Sequence, residues 1–513
     1  MRLAVVLLLL IGGVCVALEH GGLRSLILLN ARGVVVYDAR DVRVGTLVGV
    51  RSRNPTALAF GPDDRLYVAE QRGRIYAYTL NRLALGEYEV SRVEVIEELQ
   101  RIPNHNDDGE PQPSLDRRLL TGMLITGRAD RPVIYAATSD PRIEDPDVDT
   151  NSGVVSRLTR GGASWRREDL VRGLPRSRTD HAPNGLWLDE DSRVLYLTVG
   201  GNTNSGAPSD HFDTLSEYAL SASILEIDLD GLPGIPYDLP TLDDEDRPGP
   251  QDSNDPFGGN GGKNQAILSE QGPVRLYASG LRNAYRLVRV AGAFYTIDNG
   301  PNQYLGGPPV WRSERVTNEV SEESERLPNV LLRIAKRGYY GGHPNPTRAD
   351  RRNTFNDSDP QTPVLRARSG EAHFVPPGKK AGELMQFRQS VNGLVPYQSA
   401  GLGEESRGCL LAAGWDGMVR LICVSKTGDV TKEKVLARTR GYMPLDITAQ
   451  PDDGVFPGSI WAADHGSSVI MVIDPVRESG PSVQLAGFWR DLVTYAAELA
   501  IWWLSPASRV PLS

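Results

Sequence analysis

Four clusters carry residue types that could do chemistry. Asp180 and His181 stand together in LPRSRTDHAPNGLWL, just ahead of an apolar run. A carboxylate beside an imidazole can orient the ring and raise its basicity, which suits a general base. A structural histidine in a loop fits the same two residues. Gly280-Leu281-Arg282-Asn283 places an arginine and an asparagine in a turn before a strand. They can donate several hydrogen bonds to an oxyanion or a carbonyl, or can satisfy loop carbonyls. Asp298-Asn299-Gly300-Pro301-Asn302 gathers oxygens that could ligate a hard cation such as Ca2+, and also reads as a plain Asn-Gly-Pro turn. In Gly338-Tyr339-Tyr340-Gly341-Gly342-His343-Pro344 the aromatics can stack on a flat ligand or a sugar ring, or simply pack a loop.

These clusters act together only if the chain between them brings them to one place. The residues from Asn54 to Leu80 read PTALAF, GPDD, RLYVAE, QRG, RIYAYTL, which is three short apolar runs divided by tight-turn residues. The same pattern of strand, Asp/Gly turn, aromatic-rich strand and Gly turn recurs over Asn184 to Gly201, Tyr285 to Gly300, Gly408 to Asp429 and Pro444 to Pro475. Radial repetition of small antiparallel sheets is a β-propeller signature. A β-sandwich or parallel β-helix competes, but a sandwich of this length would have to split into domains, and no clean linker divides the chain. Long polar insertions (Asn104 to Arg118, Asp228 to Gln265, Pro344 to Asp359) are loops of the kind that crowd one face and build a site.

Composition agrees. The 513 residues include 53 Gly and 36 Pro, which disfavours a long-helix protein. A net charge of −9 argues against a nucleic-acid partner, which needs a basic face. Residues 1–17 carry a basic start, an apolar run and small residues before Glu19-His20, the pattern of a secretory signal peptide, with an uncleaved N-terminal anchor as the competing reading. A secreted or extracytoplasmic location follows. Cys409 and Cys423 flank a strand, a Trp-Asp-Gly turn and a strand, so they can face each other as a cross-strand disulfide or lie as free thiols. From Trp489 to Trp503 apolar residues fall at helical spacing, so 481–513 reads as an amphipathic helix and tail. Its polar face carries little positive charge, so packing on the propeller is favoured over membrane contact.

The ordered set DH-x-x-NG, GLRN, NGPN and YYGGHP, within about Pro55 to Pro475, resembles the soluble glucose/sorbosone dehydrogenase family. The resemblance implies an all-β, six-bladed β-propeller over residues 18–480, with pyrroloquinoline quinone (PQQ) and Ca2+. It implies oxidation of an aldose sugar or related alcohol, with an external electron acceptor. His181 would be the base that takes the hydroxyl proton, and Asp180 would orient it. Arg282 would polarise the quinone carbonyl beside Asn283. The carbonyls of Gly300 and Pro301 would ligate the metal, and Tyr340 would line the mouth.

The chain departs from that pattern in places. Where the family has a lysine for the cofactor carboxylates, Trp415 or Asp416 stands. Where it has two arginines before the last blade's aspartate, Met443 and Leu445 precede Asp446. Arg420 or Arg438 would be the substitutes, and Asp116 would stand in for a polar neighbour of the base. Two other readings keep the fold: a non-redox propeller that binds a glycan or protein partner, and a calcium-dependent lactonase-type hydrolase.

Overall fold

A computed structural model of the chain describes residues 41–162, 164–242, 256–312, 315–320, 325–353, 362–439 and 442–476. Of the first forty residues it describes only the backbone of four strands, Val6–Leu10, Gly13–Ala17, Leu26–Asn30 and Gly33–Tyr37. The side chains of the expected leader and the whole expected C-terminal helix lie outside the described residues.

The expected strands are present. Pro55–Phe60, Leu66–Glu70 and Ile75–Ala84 form where the sequence alternates between apolar runs and turns, and Glu87–Ile96 completes a four-stranded antiparallel meander. Among the described residues, six such meanders follow one another. Their first strands are Pro55–Phe60, Leu119–Arg128, Pro183–Asp189, Ala284–Val290, Val391–Pro396 and Pro444–Ala449. Each first strand touches the next, and the last touches the first. The fourth strand of the last meander, Val42–Val48, comes from the N-terminal side: it pairs with Val469–Pro475 and also with Glu87–Ile96 of the first. The arrangement is propeller-type and its ends are joined by that strand.

The core is divided between neighbouring sheets because each sheet has two faces to bury. Leu58, Val68 and Tyr78 of the first meander pack against Trp461, Ile470 and Val472 of the last. Tyr67 and Ala77 pack against Met123 and Ile134 of the second. The sandwich and β-helix alternatives do not describe this ring of contacts. Cys409 and Cys423 form a disulfide between adjacent strands of the fifth meander.

A β-bulge interrupts every first strand, at Pro55/Ala57, Leu120/Gly122, Pro183/Leu186, Ala284/Leu287, Val391/Gly393 and Pro444/Asp446. A bulge inserts a residue and re-aims its side chain. In the first three meanders the inserted polar group ties each to the next. Thr56 Oγ1 donates to the Leu120 carbonyl (2.6 Å), Thr121 Oγ1 to that of Pro183, and Asn184 Nδ2 to Asn283 Oδ1 (3.1 Å). The following position is small because the next backbone passes there. A Cβ on Gly122 would lie 1.8 Å from the Asn184 carbonyl oxygen, and one on Gly185 2.6 Å from that of Tyr285. Two meanders break the pattern with Arg286 and Asp446, and these pair across the ring at 2.8 Å. Tyr285 also crosses it, donating to the Thr56 carbonyl at 2.9 Å.

Candidate active site at the His181 and Arg282 loops

The bulges place the loops that precede the third and fourth first strands side by side. These loops carry His181 and Arg282. His181 is 2 % exposed and packs on Phe212 with ring centroids 5.3 Å apart. Its Nδ1 lies 2.8 Å from the Gly201 carbonyl oxygen. A carbonyl only accepts, so Nδ1 carries the proton and Nε2 keeps its lone pair. Burial, and then the Arg282 charge, lower the His181 pKa from 6.5 to about 4. The ring is therefore neutral, and able to accept a proton, through the physiological range.

Arg282 is equally buried. Its Nε donates to the Asn204 carbonyl (3.1 Å), one terminal nitrogen to Asn204 Oδ1 (3.1 Å) and the other to the Asn299 carbonyl (3.5 Å), and none reaches a carboxylate. Burial pulls its pKa down, opposed by the charges of Asp180, Asp298 and Glu217. A buried guanidinium without a carboxylate is primed for an anionic or strongly polarised oxygen. Nearby, Asn184 Oδ1 and Asn299 Oδ1 are buried acceptors that receive no hydrogen bond from the protein. Asn283 is fixed by its amide, which donates to Asp298 Oδ1 at 2.9 Å, and Asp298 in turn faces the buried Lys380 at 3.6 Å.

The expected roles redistribute. Asp180 is exposed and does not hold the ring; the Gly201 carbonyl does. The side-chain carboxylate acts on His181 and Arg282 only through its charge. Tyr340 sits on a short strand paired with Ala278 and Ser279, and its hydroxyl donates to the His373 carbonyl at 2.7 Å. It packs under Gly280, where a Cβ would meet its ring at 2.4 Å, so it shapes the turn before Arg282. Asp116 is exposed, and the polar group between the second and third first strands is Thr121. The sequence reading missed Gly201, Asn204 and Glu217. The run Val199-Gly200-Gly201-Asn202 was their signal: a Cβ on Gly200 would lie 2.8 Å from that of His181.

No protein-family model and no curated protein matches the chain. Solved structures do resemble it. One is the iodide structure of a Trichoderma reesei carbohydrate-active enzyme of family AA12, at 11 % identity and TM-score 0.50, covering 85 % of this chain and 96 % of that one. Another is the holo form of the pyranose dehydrogenase PQQ domain from Coprinopsis cinerea, at 16 % identity and TM-score 0.48, covering 84 % and 95 %. At such identities the first likeness establishes a shared fold, and the second carries no argument.

The donors present do not fit PQQ held as a tricarboxylate. Three carboxylates need cations, and Arg282 is the one at this site without a carboxylate partner. Trp415 is half-exposed, Asp416 pairs with Arg420, and Arg420 also faces Glu433 at 3.4 Å. Arg438 is exposed and sits on an outer strand, and neither Met443 nor Leu445 carries a charge. At the expected calcium position the backbone is already engaged in part. The Pro301 carbonyl accepts from Leu327 N–H at 3.0 Å, and the Gly300 amide donates to Asn329 Oδ1 at 3.0 Å. Among the described residues no group of three or more His, Cys, Asp or Glu side chains is placed to hold a metal.

Proposed function

We propose that this chain is a secreted, six-bladed β-propeller oxidoreductase that oxidises a hydroxyl of an aldose or related alcohol. His181 Nε2 takes the hydroxyl proton. A hydride leaves the same carbon for an external quinone-type acceptor, whose carbonyl oxygen Arg282 polarises. The alcohol becomes a carbonyl, and the acceptor takes up two electrons and two protons, one of them passed on by His181. The observation that carries this reading is a neutral histidine with a free Nε2 beside a buried arginine that no carboxylate neutralises. That pair offers a base on one side and an electron-pulling cation on the other. The Cys409–Cys423 bond and the N-terminal apolar run support an oxidising, extracytoplasmic location.

The cation shortage lends weight to one other reading, a propeller that binds a glycan without turnover. Dye-linked oxidation across a sugar and alcohol panel separates the two. The oxidoreductase reading expects turnover that falls roughly 10²- to 10⁴-fold in His181→Ala and roughly 10²- to 10³-fold in Arg282→Ala. Sugar binding without acceptor reduction would establish the binding reading instead. Ester cleavage in the absence of any acceptor would point to the hydrolase.

A further inference from the structure

We propose that Glu217 is the positioning residue of this site: one buried carboxylate, acting through the backbone at Gly201, sets the tautomer of His181. The inference deepens the oxidoreductase reading and rests on it for the role of His181.

Neither functional side chain is held by its own loop alone. Both are held by the segment 201–204, which follows Val194–Val199. The Gly201 carbonyl fixes His181 Nδ1, and the Gly201 amide donates to the Arg282 carbonyl at 2.7 Å. The Asn204 carbonyl and side-chain oxygen hold the guanidinium. Two residues at the ends of that segment, Gly201 and Asn204, thus hold the base and the cation.

Asn204 is anchored separately, its Nδ2 donating to the Asn302 and Gly306 carbonyls at 2.9 and 2.8 Å; what fixes the Gly201 side of the segment is Glu217. Its Oε2 accepts from Asn202 N–H (3.0 Å) and from the Ser221 hydroxyl. Its Oε1 accepts from Thr203 N–H (3.0 Å), the Thr203 hydroxyl (2.6 Å) and His343 Nε2 (2.7 Å). Five donors converge on two oxygens, in a group with no exposure. Burial alone would raise the Glu217 pKa, but these hydrogen bonds, that of His343 foremost, bring it to about 2, so it is ionised. The packing leaves no slack, since a Cβ on Gly201 would lie 2.7 Å from Glu217 Oε1. His343 ties the same carboxylate to the turn before Arg282, because its amide donates to the Gly280 carbonyl at 2.9 Å.

A carboxylate is required chemically. It accepts at both oxygens, whereas an amide turns an N–H2 toward one of the two backbone N–H groups and repels it. Glu217→Gln therefore loosens the segment without changing side-chain volume. His181 then loses the acceptor that keeps its proton on Nδ1.

The test is ¹⁵N NMR of ring-labelled histidines in the full chain at pH 7 without ligand, with His181 assigned from His181→Ala. The wild type is expected to show the Nδ1–H tautomer. Glu217→Gln should shift His181 to a majority of Nε2–H, while His343→Gln, which leaves both backbone bonds to Glu217, retains Nδ1–H. If Glu217→Gln does not fold, Thr203→Val decides. It removes one donor, and is expected to show a mixed tautomer. A folded Glu217→Gln, or in its place Thr203→Val, that keeps His181 wholly Nδ1–H overturns the proposal, even if its melting temperature drops. A tautomer shift in a protein that oxidises nothing would uphold Glu217 as positioning residue and refute the oxidoreductase reading separately.

Discussion

Replacing Arg282 by Met should raise the pKa of His181. The drop from 6.5 to about 4 corresponds to about 3 kcal/mol against protonation. Burial is its larger cause and the Arg282 charge the next, so removing that charge returns part of it. The expected move is upward and stops short of 6.5, because the burial remains. Methionine keeps the apolar stem of the side chain and removes the charge, so the ring stays largely covered. Arg282→Lys keeps the charge and should leave His181 near its wild-type value. The assay is NMR titration of the His181 ring from pH 3 to 8. The linkage gives a second check. A base with a depressed folded pKa binds fewer protons when folded, so its contribution makes stability rise with pH between about 4 and 6.5. Arg282→Met should flatten that rise. A His181 pKa that stays put or falls in Arg282→Met would refute the placement of the guanidinium charge beside the ring.

Other expectations follow from the fold. Asp149 is buried, and burial together with the Asp107 charge pushes its pKa to about 8. The folded state then holds the extra proton, so stability falls as pH rises from about 4 to about 8; Asp149→Asn should raise the melting temperature more at pH 8 than at pH 5, and an equal gain at both would contradict this. The Arg286–Asp446 pair is close, yet Asp446 Oδ1 makes no well-aligned hydrogen bond and burial raises the Asp446 pKa to about 6. Asp446→Leu alone should cost about 3–5 kcal/mol in denaturant unfolding, and the double variant with Arg286→Met much less, because the pair's attraction does not cover its burial. Additive losses would contradict that reading. Gly122→Ala should unfold the protein or open the second and third meanders, since Asn184 would have to retreat by roughly 1.5 Å to restore ordinary contact; Gly370→Ala, with open space around it, should stay within about 0.5 kcal/mol of wild type.

Much of the strand pattern is legible in the chain because short apolar runs bounded by Asp/Gly turns follow local rules. PTALAF, RLYVAE and RIYAYTL all become strands where their pattern places them. A deeper repeat was present but disguised. Pro55-Thr56-Ala57-Leu58, Leu120-Thr121-Gly122-Met123, Pro183-Asn184-Gly185-Leu186 and Val391-Asn392-Gly393-Leu394 are the bulged first strands, each with a polar tie followed by a small residue. Tyr285-Arg286 and Leu445-Asp446 hide it, because there the small residue gives way to a pair that bridges the ring. Within the site, His181 and Arg282 were legible by type and order. The partner of His181 showed only indirectly, in the Gly200-Gly201 pair that lets the ring approach, because a backbone carbonyl twenty residues away names no side chain. Asp180 looked like that partner only because it is adjacent in sequence. The cation deficit could be read from Trp415, Met443 and Leu445, but that Arg420 is committed to Asp416 needed the structure.

The most direct test of the central claim compares oxidation of an aldose and of its C1-deuterated form by the purified protein, following reduction of a quinone-type acceptor. Acceptor reduction with a normal primary isotope effect on kcat/KM is expected in the wild type, and loss of that activity in a folded His181→Ala variant. Acceptor reduction that His181→Ala leaves intact, or sugar binding with no reduction of any acceptor, would contradict the claim.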